Sequence, residues 1–139
     1  MEDLLKLEKQ ICFPAYAFSR QLTNLYRPLL DKLDITYPQY LVMLVLWGEQ
    51  EKTVNQLGVK LRLDSGTLTP LLKRLEQKGF VNRTRSKQDE RVVIVSLTEE
   101  GTKLREQAKD IPMKIVACLD VSIEELLQLK TILNKMLID

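Results

Sequence analysis

At 139 residues, 45% of them hydrophobic, the chain is sized for one domain with a real core, and no Ser/Gly/Pro-rich linker, repeat or low-complexity tract divides it. The formal net charge of +2 excludes little, but the longest nearly pure apolar run, Tyr40 to Trp47, falls far short of the roughly 20 residues a membrane span needs. The start, Met-Glu-Asp-Leu-Leu-Lys, lacks a secretion signal's basic and apolar regions, and two widely separated cysteines make no disulfide framework. The expectation is a soluble cytoplasmic protein with reduced thiols, forming a single domain over 1–139.

In chain order, residues from about Leu4 to Leu33 read as one long or broken helix, interrupted by Pro14 and Pro28. Thr36-Tyr37-Pro38-Gln39 resembles a capping box with proline in the first turn, opening a helix to about Gly48. Thr53-Val54-Asn55-Gln56 repeats the Thr-x-x-Gln form and opens a short helix through about Leu61. After Arg62-Leu63, Asp64 precedes a helical pattern of Leu68, Leu71, Leu72 and Leu75, with Gly79 as its stop. Phe80 to Arg85 and Arg91 to Leu97 are strand-like, joined by the polar turn Ser86-Lys87-Gln88-Asp89-Glu90. Thr98 caps a long helix reaching Cys118, and Ser122-Ile123-Glu124-Glu125 is a third capping box, opening a last apolar helix. The fold class implied is mainly α with a small β-hairpin.

Two helices joined by a few residues, the second small and polar at its start, form a helix-turn-helix. Ser65, Gly66, Thr67 and Thr69 cluster in the first turns of the second helix, where short side chains permit close approach to a duplex and backbone N–H groups favour phosphate. Lys73, Arg74 and Lys78 follow, placed for backbone phosphates. Taken alone, this segment is equally an ordinary amphipathic helix with a good cap. The hairpin shifts the balance, because Arg83, Arg85, Lys87 and Arg91 crowd a short unit next to it. Asp89 and Arg91 are two apart, so in an extended chain they point the same way, and the carboxylate can hold the guanidinium extended. Charge follows the same division. Residues 60–91 hold nine Lys/Arg against four acids, a net of +5, whereas the remainder holds twelve against fifteen, a net of −3. Such asymmetry points to a polyanion partner, double-stranded DNA, with a helix in its major groove and an Arg-tipped hairpin in the adjacent minor groove.

The terminal helices are more apolar than a compact DNA-binding core requires. Ile115, Val116, Leu119 and the last helix suit packing against the N-terminal helix of a second chain, the alternative being that they only complete the monomer's own core. A homodimer fits two half-sites about 34–36 Å apart. On that reading 1–35 and 98–139 are dimerisation helices and 36–97 is the DNA-binding region.

The run from Leu63 to Gly101, with Gln10-Ile11-Cys12-Phe13-Pro14-Ala15-Tyr16 and Tyr26 to Tyr40, resembles the MarR family of winged-helix regulators, and within it the organic-hydroperoxide-sensing repressors. The resemblance implies that Cys12 is the peroxide-reactive thiol and that Tyr26 and Tyr37 of the partner subunit hydrogen-bond it, with Tyr16 one helical turn beyond Cys12. It also implies release of a pseudo-palindromic operator on oxidation, with Arg91 in the minor groove. The chemistry is reasonable on its own terms: a thiolate attacks peroxide oxygen and needs hydrogen bonds or positive potential, and with no His in the chain Tyr hydroxyls are the available donors. A buried Cys acting as a small hydrophobe is the plain alternative. The resemblance leaves two roles for Cys118, a resolving thiol for the partner's Cys12 or a bystander. In the second case a low-molecular-weight thiol traps the oxidised Cys12. Pro14 departs from the family pattern; it either starts the helix near Cys12, placing backbone N–H groups beside the thiol, or displaces the thiol from the tyrosines. No cofactor or metal is implied. Two other functions stay open: a regulator gated by a small aromatic ligand or general redox stress with Cys12 incidental, and a thiol peroxidase, against which stand the absent His and absent C-x-x-C pair.

Overall fold

The structure, a computed structural model, describes residues 3–139; the Met1-Glu2 start of the acidic N-terminus lies outside them. They fall into two compact units, one ending at Lys109 and one spanning Asp110–Asp139.

In the first unit, a short 3-10 turn at Leu7–Lys9 precedes α1 (Cys12–Asp31). The helix expected from Leu4 therefore starts later, and neither proline interrupts it. Pro14 is the third helical residue, where an N–H would have no intrahelical partner in any case, and Pro28 lies in the exposed last turn. A left-handed Asp34 (φ 58°) turns the chain into α2 (Tyr37–Glu49), where the Thr36 hydroxyl accepts from Gln39 N–H while the Gln39 side chain accepts from Thr36 N–H. The same reciprocal box at Thr53 and Gln56 opens α3 (Val54–Leu61). Left-handed Arg62 ends α3 and makes the turn into α4 (Ser65–Gln77).

Leu68, Leu71, Leu72 and Leu75 recur at 3.6-residue spacing and form the buried face of α4. Each such leucine contributes roughly 1.5–3 kcal/mol by leaving water. They share the core with Val42, Met43 and Leu46 of α2 and Leu57 of α3. Gly79, at φ 84°, lets the chain reverse out of α4 into β2 (Val81–Arg85), which pairs antiparallel with β3 (Val93–Leu97). A third strand absent from the sequence reading, β1 (Glu51–Thr53), pairs with the other edge of β3, giving the order β1-β3-β2. Thr98 caps α5 (Glu99–Ala108) through Gly101 N–H.

The long helix expected from Thr98 to Cys118 is two helices, α5 and α6 (Ile111–Cys118). Pro112, in the first turn of α6, has no N–H to donate back to α5. In the second unit, Ile111 and Ile115 of α6 are buried, whereas α7 (Ile123–Met136) buries none of its residues. Among the described residues no helix is long and apolar enough to cross a membrane.

Candidate DNA interface and thiol site

The start of α4 is held by Asp64, whose carboxylate accepts from Thr67 N–H at 2.7 Å. That backbone hydrogen bond holds the Asp64 carboxyl below the usual carboxylate range. Ser65, Gly66 and Thr67 are exposed and Thr69 is half-buried, while Lys73 and Arg74 are exposed further along. A groove of about 370 Å³ runs between α4, the start of α3 and the hairpin. Thr53, Asn55, Thr69, Lys73, Arg83, Arg85 and Arg91 contribute to its lining, with four cations and no carboxylate. Thr53 and Asn55 are additions to the sequence reading; a capped helix opening beside the turn into α4 was the available signal.

At the hairpin tip, Asp89 takes three hydrogen bonds from Arg91: backbone N–H to Oδ1 at 3.1 Å, Nε to Oδ1 at 3.2 Å and Nη2 to Oδ2 at 3.3 Å. Those contacts keep the Asp89 carboxyl below its ordinary range, and the Arg91 side chain remains 90% exposed. The pairing expected from the two-residue spacing is present. Arg85 donates through Nη1 to Glu90 O at 2.8 Å, and Lys87 is exposed in the turn. Arg83 differs from its neighbours. It folds back onto α4, where Glu76 accepts from its backbone N–H at 3.1 Å, its Nη2 at 3.1 Å and its Nε at 3.4 Å.

Cys12 is the first residue of α1 and is exposed, as is Cys118 at the end of α6. Tyr16, one turn after Cys12, is exposed with the Arg20 guanidinium 5.6 Å from its ring centroid. Tyr26 and Tyr37 come together, ring centroids 4.8 Å apart, and Tyr40 joins them at 5.7 and 6.2 Å. Burial, with the neighbouring Tyr37 and Tyr40 adding to it, pushes the Tyr26 phenol up to about 12; burial also raises Tyr37 and Tyr40. Phenols are protonated at neutral pH in any case, so these hydroxyls can donate. Cys12 and Tyr26 lie on the same continuous helix fourteen residues apart, roughly 21 Å at 1.5 Å per residue. Among the described residues no group of His, Cys, Asp and Glu is arranged to hold a metal ion.

Residues 24–108 match the family described as transcriptional regulator SarA/Rot. Over 97% of its length, the chain is 55% identical to the organic hydroperoxide resistance transcriptional regulator of Bacillus subtilis strain 168, covering 92% of that protein. Among solved structures it resembles AbfR of Staphylococcus epidermidis, reduced and bound to DNA, with 41% identity, 94% and 89% of the two chains covered and a TM-score of 0.82. Disulfide-formed AbfR matches at 44% identity, 91% of each chain and a TM-score of 0.68. A helix-turn-helix followed by a β-hairpin wing, in a chain matched at these identities over nearly its full length, makes the chain a member of the SarA/Rot family of transcriptional regulators, of the MarR winged-helix type and akin to the organic-hydroperoxide regulators.

Proposed function

We propose that this regulator is a homodimeric repressor that binds a two-fold operator in double-stranded DNA and releases it when an organic hydroperoxide oxidises Cys12. The observation that carries the reading is the combination, in one chain, of an exposed thiol opening α1 and a half-buried tyrosine pair, Tyr26 and Tyr37, with ring centroids 4.8 Å apart. Ser65, Gly66, Thr67 and Thr69 face the major groove, Lys73, Arg74, Arg85 and Lys87 meet phosphates, and Arg91, steadied by Asp89, enters the minor groove. Residues 1–35 and 98–139 serve dimerisation and 36–97 serve DNA binding.

The Cys12 thiolate attacks the distal peroxide oxygen; the O–O bond breaks, sulfur becomes a sulfenic acid, and the leaving alkoxide takes a proton to become the alcohol. Tyr26 and Tyr37 of the partner chain donate hydrogen bonds to the thiolate beforehand. The sulfenic acid then condenses with a thiol, losing water and forming a disulfide. That thiol is Cys118 of the partner chain or a low-molecular-weight thiol; the existence of a disulfide-formed relative supports the first. Either product changes what the N-terminal helix packs against. A small rotation of the two recognition helices then spoils a fixed half-site spacing.

The test is non-reducing intact mass after one equivalent of an organic hydroperoxide, with operator release followed in parallel. A disulfide-linked dimer lost in either Cys12→Ser or Cys118→Ser establishes the two-cysteine route. Oxygen or added thiol on Cys12 of a monomer establishes the one-cysteine route. An unmodified Cys12 sinks peroxide sensing. A second reading, gating by a small aromatic ligand, is favoured by a cleft of about 270 Å³ beside the tyrosines, lined in part by Arg27, Thr36 and Tyr37. Induction that survives Cys12→Ser would support it.

A further inference from the structure

We propose that Glu76 is the positioning residue for the wing: it fixes the hairpin against the recognition helix and withholds Arg83 from DNA phosphates. This rests on the DNA-binding reading above and deepens it.

Three observations converge. Thr69, Lys73 and Glu76 recur at i, i+4 and i+7, so they share one face of α4, and Thr69 and Lys73 on that face line the cationic groove. A carboxylate on that face, although outside the groove's own lining, opposes phosphate approach, which makes its presence informative. Secondly, β2 is an edge strand, pairing only with β3 on one side, so half of its backbone N–H groups have no strand partner. Glu76 takes one of them, Arg83 N–H, with Oε2 at 3.1 Å, so a side chain of the recognition helix stands in for a strand. Thirdly, its other oxygen accepts from Nη2 and Nε of the same arginine, and the Arg83 side chain is only 23% exposed, against 90% for Arg91. A carboxylate that holds one arginine by its backbone N–H and its guanidinium together fixes direction as well as distance.

Arg83 lies in β2 and Arg91 in the turn that joins β2 to β3, so gripping Arg83 sets where the Arg91 tip lies relative to Thr67 and Thr69. Specificity that reads a major groove and its neighbouring minor groove together requires that spacing to be fixed. The groove's usable charge is then Lys73, Arg85 and Arg91, with Arg83 neutralised.

The experiment measures binding of the reduced full chain to a duplex that the protein itself enriches from a random-sequence pool, and to a scrambled duplex of equal length, across a salt series. Glu76→Gln keeps the size and removes the charge. It is expected to bind the scrambled duplex more tightly, to steepen the salt slope by about 0.9 as Arg83 becomes free for a phosphate, and to lower the enriched-to-scrambled ratio roughly tenfold. Arg83→Gln is expected to lower that ratio similarly while leaving the salt slope unchanged, and the double variant to be no worse than either single one. Loss of fold stability alone, followed by thermal melting, would not move the slope of the folded fraction. A slope reduced by about 0.9 in Arg83→Gln would make Arg83 a phosphate contact and overturn the proposal. So would a Glu76→Gln variant with the wild-type slope and ratio; if that variant fails to fold, Arg83→Gln decides alone. A wild-type chain that enriches no duplex and shows no salt-dependent binding would instead sink the DNA-binding reading itself.

Discussion

Arg91 and Thr67 meet DNA, on the reading above, in ways that leave different signatures. Arg91 is extended, exposed and held by a carboxylate, so its charge is delivered to whatever duplex is present. Arg91→Ala should weaken enriched and scrambled duplexes together and reduce the salt slope by about 0.9. Thr67 carries no charge and sits beside the helix start, so Thr67→Ala should leave the slope intact and shift which duplex the protein enriches. The docking fails if Thr67→Ala enriches the wild-type site and Arg91→Ala binds normally. The tyrosines make a separate prediction about pH. Folding raises the Tyr26 phenol from about 10 in an unfolded chain to about 12, so the fold favours its neutral form. The resulting stability is complete below about pH 10 and is lost as pH climbs toward 12. Denaturation midpoints should therefore be level through neutral pH and fall above pH 10, less steeply in Tyr26→Phe. An identical alkaline fall in that variant would show that the burial of this phenol is not responsible.

At the scale of elements, the junction after the recognition helix is closely tied. Thr98 Oγ1 donates to Gly79 O at 2.6 Å, Thr98 N–H donates to Phe80 O, and Trp47 Nε1 donates to Gly101 O at 2.8 Å. A Cβ on Gly101 would lie 2.1 Å from Phe80 O, a backbone atom that cannot swing aside. Gly101→Ala should cost about 1–3 kcal/mol in denaturant unfolding and loosen α4, α5 and the hairpin together; a wild-type midpoint would show the junction to be slack. This contact was not legible in the sequence, where Gly101 is one residue inside an ordinary capped helix. What was legible is local. The boxes at Thr36, Thr53 and Ser122, the Asp64 cap and the α4 leucine stripe each rest on residues within one or two turns, and each formed as expected. The misses are non-local. Three residues, Glu51–Thr53, carry no alternation and become a strand only because β3 offers an edge. The Glu76 grip on Arg83 joins residues of two different elements, which no periodicity reveals. Pro28 is a miss of another kind. Its local tendency to break a helix is real, but near an exposed end the lost hydrogen bond falls to solvent and the helix continues.

For the molecule as a whole, the apolar surface left open by one chain is the main constraint. Leu129, Ile132, Leu133 and Met136 form a stripe along α7 and all are exposed, as are Leu4, Leu5, Leu7 and Ile11 near the other terminus. A stripe of that size in water calls for a covering surface, and a second copy supplies one without any further component. The proposed pairing of Cys12 with Tyr26 would make the same demand. Cys12 and Tyr26 are held roughly 21 Å apart by one continuous helix, so a Tyr26 hydroxyl that meets a Cys12 thiolate belongs to the other chain. Mixed dimers separate the possibilities. One chain carries Cys12→Ser with its tyrosines intact; the other keeps Cys12 but carries Tyr26→Phe and Tyr37→Phe. If the tyrosines serve the partner's cysteine, the mixed dimer holds one complete site, and its single Cys12 should be oxidised by an organic hydroperoxide at the wild-type rate. The Tyr→Phe homodimer should react more slowly, and Leu133→Glu, which places charge in the α7 stripe, should bring the wild-type chain down to that slow rate along with a monomer's sedimentation. A mixed dimer as slow as the Tyr→Phe homodimer would mean that each chain's tyrosines serve its own thiol, and α1 would then have to break between Cys12 and Tyr26 before peroxide is met.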